Sequence, residues 1–136
     1  MNTYKNHQVL IHKTKICLCR RFKGIRIFDR HVGLFYSRKN VITAKGNQAS
    51  IYSPVKVNKK GMADNWAVLP LKLLETICPV HIEIETKTGK AMLSKDQKIW
   101  KSFCETHGWW YILNRDVDET IDVIGKKINQ HGFKLF

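Results

Sequence analysis

The chain has 136 residues, 43% of them apolar, which is enough for one hydrophobic core and too few for two. It carries 24 Lys and Arg against 11 Asp and Glu, a formal net charge of +13. No apolar run approaches the roughly 18 residues of a membrane span, and the N-terminus lacks the apolar stretch of a signal peptide, so a soluble intracellular protein without a membrane partner is expected.

The charge is unevenly placed. Residues 1 to 63 hold 14 Lys and Arg against Asp29 alone, whereas residues 64 to 136 hold 10 basic and 10 acidic residues. A one-sided field of this sign favours a polyanion, because each neutralised phosphate releases condensed counterions. Nucleic acid is the expected partner, with Arg26, Arg30, Arg38, Lys59 and Lys60 as candidate phosphate contacts. Cys17, Cys19, Cys78 and Cys104 form no CxxC pair and have no zinc-type spacing, which makes buried free thiols the expected state.

In chain order, residues 6 to 20 place Val9, Leu10, Lys13, Cys17 and Arg20 at helical spacing, an amphipathic helix with a poorly marked start. Residues 24 to 38, GIRIFDRHVGLFYSR, read as a strand or hairpin limb carrying Arg26, Arg30 and Arg38. The Lys45-Gly46-Asn47 turn and Pro54 point to short strands or loops between 39 and 61. ADNWAVLPL, residues 63 to 71, predicts a strand closed by Pro70, and VHIEIETK, residues 80 to 87, has strict period-two alternation ended by Gly89. Ser94 and Gln97 make a capping box for a helix running to about His107. WWYILNR is an apolar strand whose Trp109, Trp110 and Tyr111 suit the core, and Asp116 with Glu119 opens a last helix striped by Ile121, Ile124 and Ile128. The order predicts a single α/β domain over 1–136, a mixed β-sheet flanked by helices.

Chemistry concentrates on the 80 to 87 strand. Glu83, Glu85 and Lys87 share one face, and neighbouring carboxylates repel unless a cation separates them or one is solvated. A hard Mg²⁺ ion takes one or two carboxylates plus water and phosphate, so Glu85 needs a second acid, and Asp64 in GMADNW is the candidate. Lys87 points the same way, where an ammonium can orient a water and offset charge on a phosphate. Taken alone, Glu-x-Lys on a strand is also an ordinary solvated pair, and capping alone also accounts for Gln97.

Together these elements resemble the PD-(D/E)XK nuclease superfamily, most closely its VRR-NUC type. The resemblance rests on Gly61-x-x-Asp64, then Glu85-x-Lys87, then Leu93-Ser94, Gln97 and Trp100, preceded by Arg30 and Gly33, and covers about residues 25 to 125. It implies a restriction-endonuclease-like core and a Mg²⁺- or Mn²⁺-dependent endodeoxyribonuclease acting on branched DNA, as a Holliday junction resolvase does, in a bacterial or phage-infected cytoplasm. Asp64, Glu85 and the Thr86 carbonyl would hold the metal, Lys87 would position water, and Gln97 would stand near the scissile phosphate. Family members often carry a glutamate on the first helix; here His7 or Gln8 stands there, and Glu83 is a further open candidate. Asp29, between Arg26 and Arg30, reads as a salt-bridge partner. A homodimer cutting paired strands is expected, with Phe35, Tyr36, Ile51 and Tyr52 available to an interface. The alternatives are a non-catalytic nucleic-acid-binding protein with a nuclease-like fold, or a restriction-type or RNA-cutting nuclease.

Overall fold

The computed structural model describes residues 6–30, 33–57 and 60–136, so Lys59 and the side chains of Phe35 and Tyr36 lie outside the described residues. The chain runs α1 (His7–Arg21), β1 (Arg26–Asp29), β2 (Gly33–Ile42), β3 (Gln48–Val57), β4 (Asn65–Leu73), β5 (Thr76–Thr86), α2 (Lys95–Thr106), β6 (Trp110–Asn114) and α3 (Val117–Gln130). Strands β1, β4, β5 and β6 form one mixed sheet in that order, antiparallel except for the parallel β5–β6 pair, while β2 and β3 pair only with each other. A parallel pair needs a crossover, and α2 supplies it. The expected α/β architecture, a mixed sheet flanked by helices, is what forms.

Strand parity sorts the side chains. Ala67, Leu69 and Leu71 of β4, Ile82 and Ile84 of β5, and Trp110 and Ile112 of β6 point to one face. There they meet Leu18 and Phe22 from the first helical segment and Ile124 and Ile128 from α3. On the other face α2 packs Trp100 and Cys104 against Ala63 and Tyr111. Burial pushes the Cys104 thiol up to about 12, aided by the nearby Glu83 charge, so this thiol is inert. All four cysteines are free, but only Cys104 is buried and Cys19 is exposed.

Several local expectations need correction. The start of α1 is well marked after all: the Asn6 side chain accepts from the Gln8 and Val9 backbone N–H groups at 2.9 and 3.2 Å. Its buried stripe is Leu10, Thr14 and Leu18, spaced by four, and Val9 is exposed. Pro70 does not close β4, which continues to Leu73. Pro70 has the same parity as Lys72, whose N–H and C=O bond Lys134 rather than β5, so its missing N–H falls on the side that β1 leaves open after the Arg26–Val68 rung. Between 33 and 57 the chain makes two ten-residue strands, not short ones, joined at Thr43–Asn47 with Gly46 at φ +79°. Asp29 serves in a salt bridge as expected, but its cation is Lys15 at 2.8 Å, and it also accepts from Asn65 Nδ2 at 2.7 Å.

The helix starts in the second half agree with expectation. Ser94 and Gln97 make both bonds of the capping box, and Asp116 accepts from Glu119 N. No described helix is long and apolar enough to cross a membrane.

Candidate active site

Four separate segments meet at the end of the sheet where β5 stops and β4 starts. Asn65 is paired with Ile84, so the residue before β4 falls beside the residues that finish β5. Asp64 N–H donates to Glu85 Oε2 (3.2 Å), and Thr86 N–H donates to Asp64 Oδ2 (3.0 Å). These reciprocal bonds fix both carboxylates against main chain. Gly61 makes the approach possible: at φ +90°, a Cβ there would lie 2.5 Å from the Asp96 backbone in the first turn of α2.

The first turn of α2 delivers Gln97, and it does two jobs. Its Oε1 accepts from Ser94 N at 2.8 Å, closing the cap, while its Nε2 donates to Glu85 Oε1 at 2.8 Å. Capping and site contact, open alternatives in the sequence, are simultaneous here. Lys87 Nζ lies 3.7 Å from Glu85 Oε1. Asp64, Glu85, Thr86, Lys87 and Gln97 are thus brought together.

Glu85 is only 3% exposed, and its carboxyl is pushed up to about 7 from an ordinary 4.5. Burial is the main cause and the Asp64 charge adds to it, against the opposing pull of Lys87. Tyr111, on the same face of β6, has a buried hydroxyl with no hydrogen-bond partner among the described residues, and burial raises its pKa, with Glu85 adding to the effect.

From the start of α1, His7 Nε2 lies 2.9 Å from the Thr86 carbonyl oxygen and 3.3 Å from Asp64 Oδ2. A carbonyl can only accept, so Nε2 carries a proton and donates into the gap between the two oxygens. Gln8 makes no comparable contact with these oxygens but lines the adjoining cleft. That cleft, about 680 Å³, is bounded by α1 and by Asp29, Arg30, Asp64 and Asn65, with His12 and Lys13 on its wall. It reaches Asp64 and stops short of Glu85.

Asp64, Glu85 and the Thr86 carbonyl are hard oxygen donors of the kind a small hard cation takes, with the His7 N–H directed between two of them. Among the described residues no three His, Cys, Asp or Glu side chains form a metal cage, so an ion here would rest on two carboxylates, the Thr86 carbonyl and water. That is the coordination Mg²⁺ prefers over an all-protein cage, and Mn²⁺ accepts the same hard oxygen donors.

Glu83 is not part of this group. It is fully buried, held by Arg30 Nη1 and Nη2 at 2.6 and 3.0 Å, by Trp100 Nε1 at 2.8 Å and by His81 Nε2 at 3.0 Å. Arg30, expected on phosphates, is therefore turned inward with its side chain 8% exposed. Arg26 and Arg38 are exposed, and Lys60 is exposed beside Asp96.

Sequence reasoning missed the support beneath the site. Asn114 Nδ2 donates to Thr14 Oγ1 and Thr86 Oγ1 at 2.9 and 3.2 Å, and Thr120 Oγ1 donates to Asn114 Oδ1 at 2.8 Å. This buried network ties α1, β5, β6 and α3 together under Thr86. The readable signal was a lone Asn ending an apolar strand.

No family model, curated protein or solved structure matches this chain.

Proposed function

We propose that the protein is a Mg²⁺- or Mn²⁺-dependent endonuclease of the PD-(D/E)XK, VRR-NUC type, hydrolysing phosphodiester bonds in branched DNA. One observation carries the reading: Asp64 and Glu85, 21 residues apart, are locked together by main-chain bonds with Lys87 and Gln97 attached, and Glu85 is buried where its charge needs a cation. The α1–β–α2–β–α3 order around a mixed sheet supports a restriction-endonuclease-like core.

In this reading the residues divide the work. Asp64, Glu85 and the Thr86 carbonyl would hold a divalent ion, which when bound would acidify a water and offset charge on the attacked phosphate. Backbone N–H groups and Gln97 fix the Asp64 and Glu85 carboxylates, and His7 would have to turn its N–H away from Asp64 and the Thr86 carbonyl for an ion to enter. Lys87 would orient the nucleophilic water and offset negative charge on the phosphate, and the cleft along α1 would lead DNA toward Asp64. A two-fold dimer provides one centre per strand for paired cuts.

The second reading is a nucleic-acid-binding protein without catalysis. It is favoured by His7, which replaces the acid of the family's first helix and puts an N–H where a cation would sit. Labelled linear, flapped and four-way DNA, incubated with and without Mg²⁺ or Mn²⁺, separates the two. Nuclease action requires metal-dependent cleavage lost in Asp64→Asn and Glu85→Gln and slowed in Lys87→Ala, with DNA affinity equal or tighter. Binding without cleavage in any metal would establish the second reading. Light scattering and paired-nick mapping test the dimer.

A further inference from the structure

The β2–β3 hairpin is the element that the candidate site leaves unexplained. Its ten rungs run from Gly33–Val57 to Ile42–Gln48, and no ladder among the described residues joins it to the main sheet. A lone two-stranded ribbon is marginally stable in water, so a long one invites a partner. Its composition says which. Residues 33 to 57 contain Arg38, Lys39, Lys45 and Lys56 and no Asp or Glu.

Alternation sorts the distal part into two faces. Arg38, Asn40, Ser50 and Tyr52 share one, since Arg38 pairs with Tyr52 and Asn40 with Ser50. Arg38 Nε donates to Ser50 Oγ at 3.1 Å, and Ser50 Oγ donates to Asn40 Oδ1 at 3.2 Å, so these groups form one polar row. Every one of them is exposed, Tyr52 by 59%. Lys39 is exposed on the opposite face and Lys45 in the turn. Arg and Asn are the side chains that pair bidentately with guanine and adenine edges, and a two-stranded ribbon fits the B-form major groove.

We propose that this hairpin is a DNA-contacting ribbon: the Arg38, Asn40, Ser50 and Tyr52 face lies in the major groove of a B-form duplex, with Lys39 and Lys45 on the flanking phosphates. This deepens the nuclease reading and rests on it for the partner being DNA. A second copy of the chain is disfavoured because it sets two acid-free basic ribbons against each other. Duplex RNA is disfavoured because its major groove is too deep and narrow for side chains to read.

The test uses the full chain. The triple variant Arg38→Gln, Lys39→Gln, Lys45→Gln changes exposed side chains only and should melt as the parent does. Fluorescence anisotropy on a labelled DNA duplex should show weaker binding and a log–log salt slope flatter by about two to three units, at roughly 0.9 per lost phosphate contact. Methyl green in the major groove should compete with the parent and netropsin in the minor groove should not. A photo-crosslinking residue at Tyr52, Tyr52→p-benzoylphenylalanine, should attach to DNA. An unchanged slope, or a crosslink to a second protein chain alone, overturns the proposal. Its failure is separable from that of the nuclease reading: crosslinking without metal-dependent cleavage sinks only the latter, and cleavage lost in Asp64→Asn with an unchanged salt slope sinks only the ribbon.

Discussion

Arg30 grips Glu83 with both terminal nitrogens, 2.6 Å to Oε1 and 3.0 Å to Oε2, in a setting where the glutamate is fully buried. The pair joins the end of β1 to the middle of β5, and Trp100 brings α2 into the same bond network. Removing one partner leaves the other charge buried and unpaired, which costs about 3–5 kcal/mol. Arg30→Ala and Glu83→Ala should each lower the denaturant midpoint strongly, and the double variant should be less damaging than the sum. Arg30→Ala that keeps the parent's stability but flattens the salt dependence of DNA binding would return Arg30 to the phosphate-contact set.

This pair also marks where reading from sequence stops. Period two correctly placed Glu83, Glu85 and Lys87 on one face, but alternation is blind to what covers that face. Along β5, α2 and Arg30 cover Glu83, whereas Glu85 sits at the strand end beside Asp64. The same holds for Thr14, Asn114 and Thr120: each is unremarkable locally, and only the meeting of α1, β6 and α3 makes them one network. The capping box of α2 was legible because both of its bonds are local. Pro70 misled because a proline's cost in a strand depends on which neighbour its nitrogen faces, and that is a property of the sheet.

Glu85 contributes a pH response of definite sign to the metal-free protein. Its folded pKa of about 7 lies above the ordinary 4.5, so the folded state holds a proton that the unfolded state releases. The protonated-state stabilisation is fully present below pH 4.5 and is lost as pH rises through 7, about 3 kcal/mol in all at 1.36 kcal/mol per unit. Glu85→Gln should remove this slope, so that thermal melts of the variant gain on the parent between pH 5 and pH 8. At the proposed metal site Mg²⁺ would compete with that proton, and its stabilising shift in the parent should grow over the same range. A parent whose metal-free stability is flat across this window contradicts the burial argument.

Gln97 tests whether one side chain serves both cap and site. Gln97→Ala loses both bonds and should cost about 1 kcal/mol of stability together with cleavage. Gln97→Glu keeps an oxygen for Ser94 N but presents a second carboxylate to Glu85. Near-parental melting with impaired metal response is the expected pattern for that variant, and equal cleavage by both would reduce Gln97 to a cap.

His7 supplies the last prediction. Its Nε2–H donates to the Thr86 carbonyl and to Asp64 Oδ2, the two oxygens that an ion at this site would share with Glu85. A proton-bearing nitrogen has no lone pair to offer a metal, so in this tautomer His7 competes with the ion. His7→Ala should therefore lower metal-free stability by about 1 kcal/mol, the value of one modest hydrogen bond, and strengthen Mg²⁺ binding measured by thermal shift. His7→Gln, whose amide N–H can still donate, should stay close to the parent in both. The opposite result, weaker Mg²⁺ binding in His7→Ala and not in His7→Gln, would show that a group on α1 must assist the ion. The histidine would then replace the missing helix acid.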